Sequence, residues 1–202
     1  MSETRPDTEP VPPYWGRGRW IHGAELPPGA ELSQLRQGLG REPGSAPGMW
    51  PHYTRLTGAG EVTPALHAEH VALTLFGVHQ QSAGRLVHRR GNSVGAAASA
   101  LRRSGRYSED AVDRRMAASA GASTLGSLAV HLRGLVQQLS VVEVTLDYDR
   151  LFEDLVHWQS PSGSSRVRRR WGGDFYAAAP RSTPSDPPPA VPIQQDLASG
   201  DS

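Results

Sequence analysis

Residues 146–176 read LDYDRLFEDLVHWQSPSGSSRVRRRWGGDFY, and the spacing of their apolar side chains points to two amphipathic helices. In the first half, Tyr148, Leu151, Phe152 and Leu155 fall at i, i+3, i+4 and i+7, and Trp158 extends the stripe. Asp149, Arg150, Glu153 and Asp154 lie mostly off it, as on a helix with one buried face and a solvated back. In the second half, Val167, Trp171 and Phe175 repeat every four residues while Arg166, Arg168, Arg169 and Arg170 crowd the other faces. Between them, Ser160 to Ser165 (SPSGSS) reads as a turn. A helix buried on one side and densely cationic elsewhere is suited to hold an anion. With no cofactor loop nearby, the anion it fits is a polynucleotide backbone.

The helical period continues upstream. Gly29 to Leu39 is a short amphipathic helix with Leu32, Leu35 and Leu39 on one face, followed by a turn-rich segment from Gly40 to Gly60. Thr63-Pro64 combines a hydroxyl N-cap with proline at the first helical position, which predicts a helix running to about Gln81. Its stretch VALTLFGV is apolar nearly all round, so this helix is the most buried. Val94, Ala97, Ala98 and Leu101 mark another, ending near Gly105. Ser108 caps the next, with Glu109 and Asp110 in its first turn as the macrodipole favours. Leu125, Leu128, Leu132, Leu135, Val136 and Leu139 define a long one. Val141 to Leu146 is β-branched but has no obvious strand partner and reads as a linker. The fold class is all-α: a single-domain helical bundle of about six to eight helices, spanning 14–178. Residues 1–13 form a disordered N-terminal tail and 179–202 a Pro-rich disordered C-terminal tail. Tyr14 to Trp20, aromatic and Gly-rich, reads poorly as a helix.

Composition narrows the function. The chain is long enough for one core and hardly for two. It has no run of apolar residues long enough to span a membrane, and its first residues, MSETRPDTEPVPP, lack the apolar stretch of a secretory signal. It has no cysteine, so no disulfide, thiolate metal site or cysteine nucleophile. Together these imply a cytoplasmic protein. All 21 basic residues are Arg, a bias that a GC-rich genome produces unaided. The net charge of +1 is unevenly spread: residues 50–177 hold 15 Arg against 11 acidic residues. The folded part is therefore moderately basic, which permits a nucleic-acid surface without demanding one.

The residues of the opening stretch also carry a resemblance. Leu146, Asp147, Tyr148, Leu151, Asp154, Leu155 and Trp158, then Arg168, Trp171, Asp174, Phe175 and Tyr176, resemble the C-terminal signature of the CasB family. CasB is the small subunit of Cascade, the type I-E CRISPR effector complex. Arg115-Met116, followed by Leu125, Leu128, His131-Leu132-Arg133, Leu135-Val136 and Leu139, is similar to that family's Arg-Phe helix and the Leu-rich helix after it. Ala30-Glu31-Leu32 with Leu35-Arg36 resembles its early AELxxLR element. The resemblance implies a non-catalytic subunit in antiviral defence, sitting in the complex as a homodimer. It would contact the backbone and large subunits together with crRNA and target DNA, and stabilise the R-loop by holding the displaced strand. It also implies no cofactor and no small-molecule substrate. The family opens with a helix where this chain has Tyr14 to Trp20.

The candidate nucleic-acid residues are Arg89, Arg90, Arg102, Arg103, Arg106, Arg114, Arg115, Arg133, Arg166, Arg168 and Arg169. Taken alone, each cluster reads first as a solvated helix face; with the resemblance added, a backbone-binding surface is favoured. Arg170 adjoins Trp171 and is expected to pair with Asp154 or Asp174. The alternative function is a helical scaffold docking other subunits without nucleic-acid contact. His67 and His70, three apart on one helix, are a weaker zinc pair, with no HExxH spacing and no obvious third ligand. His79, His88, His131 and His157 read as ordinary histidines. Asp147, Asp149, Glu153 and Asp154 would suit a metal nuclease, but Asp147 is better explained as a helix N-cap. No catalytic or metal site is assigned. Of Trp15, Trp20, Trp50, Trp158 and Trp171, any could stack a base, though the last two sit on core stripes.

Overall fold

The computed structural model describes residues 12–17 and 25–177. Most of the two expected tails, with Trp20, lies outside the described residues. The rest is all-α: α1 (Gly29–Arg36), α2 (Pro64–Gln80), α3 (Val94–Arg103), α4 (Glu109–Gly121), α5 (Leu125–Val141), α6 (Tyr148–Trp158) and α7 (Pro161–Ala177), with short 3-10 segments at Tyr14–Gly16 and Pro47–His52. No helix among the described residues is long and apolar enough to cross a membrane.

The caps predicted from sequence at Thr63, Ser108 and Asp147 are made, and Ser93 and Thr124 supply two that the sequence reading did not name. Thr63, Ser93, Ser108, Thr124 and Asp147 each accept a backbone N–H in the first turn of the following helix, satisfying donors that have no intrahelical partner. α2 is the central element, buried from Ala68 to Gln80 and flanked by α1, α5 and α6. α3 packs on α4, α5 and α7, and α6 joins the two groups by touching both α2 and α7. α2 also buries Glu69, whose carboxylate accepts from Thr54 N, Thr54 Oγ1 and Arg55 N and so ties down the preceding loop.

Two local expectations are revised, and a third segment gains a role that its sequence did not show. The segment Ser160 to Ser165 is helix rather than turn from Pro161 onward. Ser160 accepts from Gly163 N–H at 3.3 Å and Pro161 occupies the first helical position, so the serines and proline start α7. Gly163 is needed there because a Cβ would strike the carbonyl of His157. Val141 to Leu146 does have a partner: Leu146 donates to Val87 O at 2.8 Å and accepts from Arg89 N at 3.1 Å, an isolated parallel bridge. That pairing is long-range, hence invisible to local periodicity. Finally, Tyr14 and Trp15, in a single 3-10 turn, are buried to 0% and 1% exposure. The Tyr14 hydroxyl donates to Glu31 at 2.6 Å and the Trp15 indole to Asp149 at 2.8 Å.

Candidate nucleic-acid interface

α7 is seated by its stripe: Val167, Trp171 and Phe175 are all buried. Trp171 stacks on Trp158 with ring centroids 5.4 Å apart and donates its indole N–H to Asp154 Oδ2 at 2.5 Å. Asp154, itself buried, forms an ion pair with Arg170, so its charge is not left unpaired in the interior. Both tryptophans are therefore core, as is Trp15, while Trp50 is 53% exposed with its indole bound to Gly44 O.

Arg168 is engaged inside the protein. Its guanidinium lies 4.7 Å over the Trp158 ring and donates to Ala120 O at 2.7 Å, Ala122 O at 3.0 Å and Ser164 Oγ at 3.3 Å. α4 has no basic residue in its last turn. Arg168 supplies from α7 the cation that this helix end favours.

What α7 leaves outward is a single face. Ser162, Arg166, Arg169, Gly173 and Tyr176 are all exposed and follow one another at spacings of four and three, the period of one helix side. Arg166 and Arg169 have no protein partner among the described residues. A Cβ at Gly172 or Gly173 would meet nothing within 4 Å. Tyr176 is 62% exposed.

The remaining candidates fall in different places. Arg102 is half-buried and paired with Glu109 at 2.7 Å and Asp113 at 2.9 Å, locking α3 to α4. Arg103 is exposed and donates to Ser99 Oγ at 2.7 Å. Arg106 and Arg114 are exposed. Arg115 is half-buried, its guanidinium filling the space above Gly134 of α5. These residues and those of α7 belong to helices joined through α3, and Arg106 lies on the turn between α3 and α4. Arg89 and Arg90, on the segment leading into α3, are exposed and flank a polar notch of about 360 Å³ with Gly91, Asn92 and Thr145. Arg90 bonds Asp149 Oδ2 at 3.1 Å. Arg133, on α5, is exposed in a separate groove beside α2.

Sequence reading did not single out Arg55 and Arg150. They line a cleft of about 640 Å³ that also holds Arg90 and Arg170. Glu69, Asp147, Asp149 and Glu153 line it too, so the charges balance and the cleft has little pull on an anion. Arg150 is paired with Asp174 at 3.2 Å, and Arg55 lies over the Phe152 ring at 5.6 Å. Tyr176 is likewise outside the arginine candidates. Its spacing from Arg169 and Gly173 is the signal that could have placed it on the α7 face.

The histidines and carboxylates have structural work. His70 uses both ring nitrogens, on Tyr53 Oη at 2.7 Å and Gly38 O at 3.0 Å, and burial pushes its pKa down. While those bonds stand it has no lone pair to share with His67 on a zinc ion. His79 lies between Tyr148 Oη and Val144 O, and burial takes its pKa down to about 4. His88, Asp147 and Asp149 are close enough to surround a cation. Yet His88 Nδ1 accepts the Tyr148 N–H at 3.1 Å. The neutral ring then carries its proton on Nε2, the atom facing Asp149 at 3.7 Å, and offers no free lone pair. Asp147 caps α6 through Arg150 N and holds Gly91 N at 2.7 Å.

The geometry can be set beside known proteins. No curated protein matches the chain. The chain is 31% identical to CasB from Thermobifida fusca, whose crystal structure it matches with a TM-score of 0.60 over 73% of this chain and 84% of that one. A Cse2-family CRISPR-associated protein from Thermus thermophilus shares the fold at 24% identity, with a TM-score of 0.58 over 74% and 86%. CasB of M. ruber shares it at 18%, with a TM-score of 0.57 over 76% and 87%. The family model of the CRISPR-associated protein Cse2 matches residues 31–176, from the buried Glu31 that receives Tyr14 to the exposed Tyr176 that ends the α7 face. That match covers every helix but the first two residues of α1 and the last of α7, and by it the chain belongs to the CRISPR-associated Cse2 family.

Proposed function

We propose that the chain is the non-catalytic small subunit of a Cascade-type surveillance complex, and that it holds nucleic-acid backbone on the outer face of α7. The observation that carries this is the pairing of two partnerless, exposed guanidiniums, Arg166 and Arg169, with an open Gly172-Gly173 step and an exposed Tyr176 one turn on. Guanidiniums bind phosphate oxygens without reading bases. Helical glycine costs about 1 kcal/mol relative to alanine; here it leaves the helix surface low enough for a sugar-phosphate chain to approach. Tyr176 offers a ring on which a base can stack. Arg89, Arg103, Arg106 and Arg114 extend the cationic area, and Arg133 lies on another face. Arg102, Arg115 and Arg168 serve the fold first. Sequence specificity would rest with guide pairing, so such a surface stabilises the displaced strand of an R-loop without selecting it. The partners are then the other Cascade subunits, crRNA and target DNA, with the chain present as a homodimer in the cytoplasm.

The test is fluorescence anisotropy of a labelled single-stranded oligonucleotide across a salt series, for wild type and Arg166→Ala/Arg169→Ala. The double variant should bind more weakly and lower the log–log salt slope by up to about 1.4, roughly 0.7 per lost single-strand phosphate contact. An unchanged slope, with loss of the variant from a reconstituted complex, would replace this reading with the docking scaffold.

A further inference from the structure

A groove of about 490 Å³ separates the turn after α1 from α2 and α5. Leu39, Pro43, Val62, Val71, Ala129 and Val130 give it an apolar lining. Val62 is 52% exposed and Val130 70%, an unusual amount of aliphatic surface to leave to water along one channel. Arg41 and Arg133 stand at its edge, both exposed and with no carboxylate partner among the described residues, against one acidic residue, Glu42.

We propose that the chain's own C-terminal segment, Pro187 to Leu197 (PPPAVPIQQDL), docks in this groove within the same molecule. Three features of the chain support that occupant. Its apolar side chains, Ala190, Val191, Ile193 and Leu197, match the lining in kind, whereas residues 1–11 offer only Met1 and Val11. Asp196, the single charge of the segment, lies three residues past Ile193 and complements the unpaired Arg41 and Arg133. The reach is sufficient: Val191 is 14 residues beyond the end of α7. That length spans up to about 45 Å when extended, against a radius of gyration near 15 Å for a domain of about 150 residues. Four prolines restrict the backbone in advance and lower the entropy lost on docking. The contact can be weak, since a short tether gives an effective concentration in the millimolar range.

The absence of cysteine makes the test free of background. Val130→Cys/Ile193→Cys is introduced into the full chain and oxidised gently beside Ala117→Cys/Ile193→Cys, Ala117 being exposed on α4, which does not line the groove. Intramolecular disulfide is read as faster migration on non-reducing gels. The groove pair should close about ten-fold faster than the control, as a site occupied at millimolar effective concentration requires. Asp196→Arg should slow it, and Arg41→Glu/Arg133→Glu in that same chain should restore it. Equal rates for the two pairs, or no closure, would overturn the proposal. A disulfide formed between two chains would overturn it too, and assign the groove to a second copy.

Discussion

His79 shows how much one buried side chain contributes. It sits at 0% exposure between a tyrosine hydroxyl and a backbone carbonyl, with its pKa lowered by burial to about 4. In the unfolded chain the same ring titrates near 6.5. The folded state therefore refuses a proton that the unfolded state accepts. Stability is full above about pH 6.5 and is lost as the pH falls from there to about 4, by roughly 3 kcal/mol at the lower end. His52, His67, His70 and His88 are shifted the same way, each chiefly by burial. Urea midpoints at pH 7, 5.5 and 4 should drop steeply for wild type and less steeply for His79→Gln. Parallel curves would show that the ring is protonated in the native state.

At the scale of elements, α7 is held from two sides by contacts that a helix propensity scale cannot see. Gly95 of α3 lies so close to α7 that a Cβ would collide with the Trp171 carbonyl and come within 3.0 Å of Phe175 N. Alanine is the better helix former by about 1 kcal/mol. Gly95→Ala should nonetheless destabilise by about 1–3 kcal/mol, because backbone cannot step aside as a side-chain tip can. Thermal denaturation decides the sign; a gain would mean that the helices separate freely. The arginines of α7 divide in the same experiment. Arg168→Ala strips the α4 terminus of its charged donor and should cost about 1–3 kcal/mol. Arg166→Ala and Arg169→Ala, at exposed positions, should stay within about 0.5 kcal/mol of wild type. Equal losses at all three would mean that the outer face is packed rather than free.

For the whole molecule, the described helices share one core, in which the N-terminal Tyr14 and Trp15 pack with Phe76 of α2 and Tyr148 of α6. Contacts this distant in sequence predict a single cooperative unfolding transition, with coincident curves from far-UV circular dichroism and tryptophan fluorescence. Two separated transitions would show that the α2 and α3 groups fold apart. The helices themselves were written locally. Period throughout, and caps at Thr63, Ser108 and Asp147, mark their starts, because those signals act within one turn of chain. The Asp154 pairing with Arg170 was legible too, since adjoining amphipathic helices bring their stripes together. Tertiary structure alone decided which arginines are free. Arg166, Arg168 and Arg169 belong to one cationic run, but only Arg168 meets the carbonyls of Ala120 and Ala122 at the end of α4, 48 and 46 residues away. It alone decided that Trp15 is core and that Leu146 has a strand-like partner, for the same reason: each depends on groups brought together only when the chain closes over long distances.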